Sequence, residues 1–430
     1  MTTEEINSLF GVTESFQLPV VLMATLTDRE KRMALFDKFP KDDLTHDFFN
    51  TYFQEQHSNR EQMMQDFTPP ELCDVVANMT GNSIEKCLDV CAGTGGLTIA
   101  TWKRHQTASF YVEELSERAF PILLFNLAIR NISGYAINKN VLTGDYIKGF
   151  RLTKGDKYSD IEQVSEEPER DVYDAVIMNP PYSLKHTWDT KQQDPRFEGY
   201  GYPPTKANDY AFVLHGLFHL KEKGVLIAVL PHGVLFRGNA EQTIRTKLIQ
   251  NNLFSAVVGL PDKLFLNTQI PVCIMKLQRN SERVLFIDAS KHFQKNAKLN
   301  QLRAEDVDLI LNTVRTNSTV EKYSNVVGAK EIEQNDYNLN ITRYVDTYEP
   351  PPPIDMKSEL ADIDRINMEI AETEKSLIEM LSELRDNTGM VQKHIELMKH
   401  DRQLRITKQS KKEVKETNGQ MSIFDIFGIN

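Results

Sequence analysis

The run Asn179-Pro180-Pro181-Tyr182 follows the apolar stretch Asp174 to Met178 and brings together residue types that chemistry can use. An asparagine side-chain oxygen and the Pro180 carbonyl are fixed acceptors, and the tyrosine ring offers a flat apolar face. Together they can hold a planar exocyclic amine ready for attack on a methyl donor. Prolines after asparagine also mark ordinary turns, so these residues alone carry little weight. Upstream, Cys87-Leu88-Asp89-Val90 reads as a strand that runs into Cys91-Ala92-Gly93-Thr94-Gly95-Gly96, a glycine-rich turn opening a helix. Side chains at Gly93 and Gly95 would block a ligand that bare backbone can approach. The spacing differs from GxGxxG and no Lys-Ser/Thr follows, so neither a dinucleotide fingerprint nor a P-loop is supported. A ligand with an amino-acid end and a ribose end fits better, since Asp89 can meet an ammonium while backbone N–H groups contact the rest.

Two further acid positions belong to the same reading. Phe110-Tyr111-Val112 ends in Glu113-Glu114, where a carboxylate would hold two ribose hydroxyls. Glu113 is slightly preferred over Glu114, and a solvated acid at a helix start is the competing reading. Asp145, in Thr143-Gly144-Asp145, stands at the next strand end, either accepting from an adenine amino group or serving as a turn aspartate.

The elements that must position these residues form a simple pattern. From Phe67 onward, short apolar strands alternate with amphipathic helices, the signature of a mostly parallel sheet wrapped on both faces and ending near Val345. Strands are expected at 86–90, 109–112, 174–178, 224–230, 253–260, 272–277 and 283–288, with helices at 97–105, 117–131, 210–220 and 240–250. Before Phe67, spaced Phe36, Phe39, Phe48, Phe49, Tyr52 and Phe53 read as short helices forming a lid or docking layer. Pro350 to Pro353 make a stiff spacer. Met356, Ile363, Ile370, Leu377 and Leu384 then recur at heptad spacing, with Leu360 and Leu381 between them and polar Asn367 and Glu374 in the seam. That helix either docks a partner or lies on the chain's own body. Beyond it, the segment from Lys393 to Lys415 is basic and polar, without a core face.

A chain of 430 residues, 26% charged and 40% apolar, can bury a substantial core and fits a soluble globular protein of two or three domains. No apolar run approaches a membrane span, and the acidic start Met1-Thr2-Thr3-Glu4-Glu5 does not read as a signal peptide, so a cytoplasmic location is expected. Cys73, Cys87, Cys91 and Cys273 lack paired CxxC spacing and read as reduced core thiols, with no metal site expected. A net charge of −11 disfavours broad gripping of nucleic acid, so a DNA substrate would need a partner for much of the grip.

With Phe67-Thr68-Pro69-Pro70 first, the glycine turn second and Asn179-Pro180-Pro181-Tyr182 third, the chain resembles the gamma-type amino-methyltransferases of DNA. It is similar in particular to the modification subunits of type I restriction-modification systems. Asn208-Asp209-Tyr210-Ala211-Phe212, Leu230 to Gly238, Ile270 to Ile274 and Asp336 to Asn340 carry that likeness, which covers about residues 67–345 and continues into the helical C-terminus. The segment before Phe67 is shorter than the helical N-terminal domain of such subunits. The resemblance implies an α/β fold, a Rossmann-like class I methyltransferase sheet with a short helical N-terminal region and a long C-terminal helix. The expected layout is 1–66 helical, 67–345 methyltransferase, 346–354 spacer, 355–388 docking helix and 389–430 basic tail.

It further implies S-adenosylmethionine as donor and adenine N6 in double-stranded DNA as acceptor. Asn179 and Pro180 would accept the amine's N–H bonds, Pro181 would stiffen the loop, and Tyr182 would stack on a flipped base. Phe236 is a candidate second stacking face, against the alternative of a buried core phenylalanine. Phe67 and Thr68 would close over the donor, although Thr-Pro-Pro is equally a helix-start signal. Little chain remains after these motifs for reading bases, so target choice is expected from a specificity subunit docked on the C-terminal helix, and restriction from a further partner. Gln420-Met421-Ser422-Ile423-Phe424 resembles peptides that insert into bacterial sliding clamps, against an end that tacks onto the protein's own surface. Methylation of a glutamine amide or an RNA base, and a non-catalytic assembly role, are the rival readings.

Overall fold

The computed structural model describes residues 2–40, 44–49, 52, 68–191, 193–266, 268–296, 299–348, 355–385 and 387–416, with side chains described up to residue 403. Phe53, Phe67, Pro350 to Pro353 and Gln420 to Phe424 therefore lie outside the described residues. The chain divides into two compact units, Met1–Tyr348 and Glu349–Asn430.

The first unit is built on an eleven-stranded sheet. Its strands are β1 Lys86–Val90, β2 Ser109–Glu114, β3 Ser133–Lys139, β4 Tyr146–Thr153, β5 Asp160–Val164, β6 Tyr173–Met178, β7 Leu220–Pro231, β8 Phe254–Gly259, β9 Val272–Gln278, β10 Arg283–Asp288 and β11 Ser324–Gly328. The order is β11-β10-β8-β9-β7-β6-β1-β2-β3-β4-β5. Strands β3, β2, β1, β6 and β7 form a continuous parallel block, with Asp89 opposite Val112 on one side and Ile177 on the other. Their C-terminal ends share one edge, where open α/β sheets leave a crevice for ligands. The glycine turn, the acids of β2, the Asp145 turn, Asn179 and Phe236 all follow those ends.

Alternation along the strands separates two buried layers. Cys87, Phe110, Val112, Ala136 and Ile177 face one, and Leu88, Val90, Val176 and Met178 face the other. In the first unit the helices begin with α1 Thr3–Phe10, α2 Leu18–Thr27, α3 Arg29–Phe36, α4 Pro70–Met79, α5 Gly96–Arg104 and α6 Phe120–Ile129. They continue with α7 Asp209–Phe218, α8 Ala240–Gln250, α9 Ala304–Thr316 and α10 Ala329–Gln334. Every residue of α6 is buried, because the N-terminal helices cover it. Phe36, Phe39 and Phe49 close around Phe125 with ring centroids 5.3, 4.7 and 5.1 Å away. The N-terminal layer thus belongs to the same unit as the sheet.

Several elements differ from the sequence expectation. Strand β2 runs two residues beyond Val112, so Glu113 and Glu114 end a strand and do not start a helix. Between β3 and β6, where the sequence suggested no element, the chain makes the antiparallel strands β4 and β5. Strand β3 escaped notice because Gly134 interrupts it. That residue has φ +136°, and a Cβ there would stand 1.8 Å from the Phe110 carbonyl oxygen, so only glycine lets β2 and β3 approach.

The second unit holds α11 Met356–Ser382, capped by Asp355, and α12 Met390–Glu416, which contact each other. Residues 390–416, expected as part of a polar tail, are helical. The stripe Val391, Ile395 and Met398 lies at helical spacing, and Ile395 is buried. The heptad residues Met356, Leu360, Ile363, Ile370 and Leu377 are exposed along α11, and Leu384 falls beyond its end. Among the described residues no single helix is long and apolar enough to cross a membrane.

Candidate active site

Asp89, the penultimate residue of β1, is completely buried. Its Oδ2 accepts from Thr98 Oγ1 of α5 at 2.5 Å, while its Oδ1 is buried without a hydrogen-bond partner among the described residues. Burial raises this carboxyl to about 7; the Thr98 hydroxyl opposes the rise and the field of Glu114 adds to it. The turn after it is tight: Cys91, Gly93 and Gly95 all have positive φ, and a Cβ on Gly95 would meet Leu123 at 3.0 Å.

The two acids of β2 point to opposite faces. Glu114 lies on the Asp89 face, where its Oε2 accepts from Gly93 N at 2.7 Å and its Oε1 from Ser116 N at 2.6 Å. Burial raises its pKa, opposed by those backbone donors. Glu113 faces the other layer. Its Oε2 meets His215 Nε2 of α7 at 2.9 Å, and its Oε1 lies 3.6 Å from Lys139 Nζ. Burial works against this charge, but His215 and Lys139 outweigh it and hold the carboxyl at about 2. Arg196 Nη1 also reaches His215 Nδ1 at 3.4 Å. The Glu113 carboxylate is engaged with His215 and Lys139, and Glu114 is the acid whose oxygen meets the glycine turn.

The Asn179 loop leaves β6 next to the end of β1. Asn179 Nδ2 donates to Thr68 Oγ1 at 2.8 Å, and Tyr182 OH donates to Asn179 Oδ1 at 2.8 Å. The Tyr182 ring is half-buried and stands edge-on to Phe265, with centroids 6.1 Å apart. Pro180 is buried, and Pro181 is half-buried. The loop is braced from α7: Asp209 Oδ1 accepts from Ser183 N at 2.8 Å, where φ is +52°, and Asp209 Oδ2 accepts from Arg237 Nη1 at 2.9 Å. Arg237 also reaches Ser183 Oγ at 3.2 Å. Asn208 takes the Trp188 indole N–H and donates to Leu184 O. Sequence reasoning singled out these stretches only as likenesses; polar residues at a helix start, Asn208-Asp209, were the available signal of a brace.

The remaining candidates occupy the same edge. Asp145 is exposed in the β3–β4 turn and accepts from Thr143 Oγ1 at 2.6 Å, and its carbonyl accepts from Asn140 N. Phe236 is 47% exposed just before Arg237, which excludes the buried-core alternative for it. Asn138 of β3 donates through Nδ2 to the carbonyls of Glu114 and Leu115, while its Oδ1 is buried without a partner among the described residues. Asp89 Oδ1 and Asn138 Oδ1 are thus unanswered acceptors around one turn, each costly to bury unless something donates to it. An ammonium, ribose hydroxyls and an exocyclic amine are such donors, so the residues present fit the ligand that the resemblance implies.

The chain matches the N-6 DNA Methylase family over residues 41–350. It belongs to that family. Among its relatives is the type I restriction enzyme MjaVII methylase subunit of Methanocaldococcus jannaschii, 29% identical over 78% of this chain and 56% of the relative. The HindI methylase subunit of Haemophilus influenzae is also 29% identical, over 72% of this chain and 70% of that one. This family member thus spans little more than half the length of some relatives that it matches. A crystal structure of a type I restriction-modification methyltransferase subunit from Streptococcus thermophilus superposes with a TM-score of 0.58 at 32% identity, covering 66% of this chain and 59% of that one.

Proposed function

We propose that the protein transfers the methyl group of S-adenosylmethionine to N6 of adenine in double-stranded DNA, as a type I modification subunit whose target choice comes from a separate specificity subunit. One observation carries this reading: the Asn179 amide, fixed by Thr68 on its nitrogen side, presents its oxygen beside the strand that bears the unpartnered Asp89 Oδ1.

Bound at the glycine turn, S-adenosylmethionine supplies an electrophilic methyl on a positively charged sulfur. Asp89 and Glu114 hold the ammonium and ribose ends, and Asp145 and Asn138 offer acceptors toward the adenine end. Adenine N6 is a poor nucleophile because its lone pair is spread into the ring. Asn179 Oδ1 and the Pro180 carbonyl accept its two N–H bonds and favour the tetrahedral nitrogen that develops as it bonds to the methyl carbon; the carbon–sulfur bond breaks, the neutral thioether leaves, and the surplus N6 proton passes to water. In the resting chain the Tyr182 hydroxyl occupies Asn179 Oδ1. An entering base replaces that hydroxyl and frees Tyr182 to stack, with Phe236 as a second exposed face. Thr68 closes the donor side. The exposed apolar stripe of α11 supports docking of a partner helix there.

The test is transfer of tritiated methyl to unmodified DNA, with and without the specificity subunit, followed by nucleoside analysis. Label recovered as N6-methyldeoxyadenosine only when the subunit is present is expected. Label in protein glutamine or RNA would overturn the reading.

A further inference from the structure

Asp47, in the N-terminal layer, carries an anomaly that the proposed chemistry leaves unused. Its Oδ1 accepts from Phe49 N at 2.9 Å and from Asn126 Nδ2 at 2.8 Å, yet its Oδ2 is buried without a partner among the described residues. The same Asn126 Nδ2 donates to Thr94 O at 2.8 Å, so one amide group joins Asp47 to the glycine turn. Arg130, one helical turn on, holds the carbonyls of Leu44 and His46 and fixes the segment over α6. Cys73 senses both acids: its sulfur is 3.5 Å from where a Cβ on Gly96 would stand, and after burial the fields of Asp74, Asp89, Glu71 and Asp47 push its thiol pKa up. Asp89 and Asp47 thus bring two unanswered carboxylate oxygens to one turn, and Asp89 is wholly buried. A buried carboxylate oxygen that meets no donor is stabilised when a cation reaches it.

We propose that Asp47 is a donor-positioning residue: its Oδ2 and Asp89 Oδ1 clamp the ammonium of the methyl donor from opposite sides, so that the donor fastens the N-terminal layer onto the sheet. The inference rests on the donor reading above. It adds that residues 44–49 form part of the binding site and order further when it fills.

Calorimetry on the full chain tests it with S-adenosylmethionine and with 5′-methylthioadenosine, which lacks the amino-acid end. Asp47→Asn keeps the acceptor for Phe49 N and removes the charge. It is expected to weaken S-adenosylmethionine roughly tenfold or more and to leave methylthioadenosine unchanged. A second readout needs no variant: amide exchange at Phe48 and Phe49 of the wild type should slow with S-adenosylmethionine and not with methylthioadenosine. If the wild type binds S-adenosylmethionine and Asp47→Asn binds it equally well, or loses both ligands alike, the clamp is wrong while the donor reading stands. Unchanged exchange at those amides on saturation also overturns the clamp. A wild type that binds neither ligand removes the donor reading itself.

Discussion

Glu113 and Glu114 are neighbours in one strand with opposite circumstances. On the Glu113 face the charges answer one another inside the protein: Lys139 contacts both Glu113 and Glu167, and Arg196 reaches Asp194, His215 and the carbonyls of Val141 and Leu142. On the Glu114 face, Asp47, Asp89 and Asn138 each keep a buried oxygen that no described residue satisfies. A protein tolerates such debts where a ligand settles them. The proposed donor site on the Glu114 face turns this difference into an expectation: substitutions there should change binding and rate, and those among the Glu113 ion network should change stability.

The largest effect tests the ligand face at its catalytic end. Asn179→Ala is expected to cut methyl transfer by about 10² to 10³-fold or more, with donor affinity unchanged, read by single-turnover assay and calorimetry. Next comes pH. Asp89 is held near 7, so the free protein carries it protonated below that value, whereas an ammonium favours the ionised form. Binding then releases a proton, and affinity should rise by up to about tenfold per unit as pH increases toward 7 and level off above it. Asp89→Asn should flatten the profile.

Glu113 sharpens the contrast with the opposite sign. Its folded pKa of about 2 lies below its ordinary 4.5. The stability it contributes is complete above about 4.5 and is lost as pH falls through 2. Glu113→Gln should remove that acid limb from urea unfolding curves without changing donor affinity at neutral pH. The brace tests whether the quiet face also serves the loop. Arg237→Ala leaves the buried Asp209 without its cation and frees Ser183, and should lower kcat about tenfold with KM for donor unchanged. Smallest is Phe236→Ala, expected to weaken binding of DNA with an extrudable adenine by several-fold, read by 2-aminopurine fluorescence.

The parts legible in the sequence were those whose chemistry is local. Asp89, Gly93, Gly95 and Asn179 announce themselves because a strand end, a positive φ and a proline-fixed loop each leave a short signature. Choosing between Glu113 and Glu114 needed the length of β2 and its pairing with β1, since one residue of register turns a side chain to the other face. Thr98, Asn126, Asp47 and Arg237 meet their partners only through tertiary packing, so no spacing reveals them. Strand β3 was hidden by Gly134, whose need arises from Phe110 in a different strand. The α12 helix was hidden by its charge, with only a narrow apolar stripe to mark it.

The most direct test is calorimetric titration of S-adenosylmethionine into Glu113→Ala and Glu114→Ala under conditions where both are folded. Roughly tenfold or greater weakening in Glu114→Ala, with wild-type affinity in Glu113→Ala, is the expected result. Equal affinity in Glu114→Ala, or weakening confined to Glu113→Ala, would mean that the donor does not lie on the face bearing the unanswered acceptors.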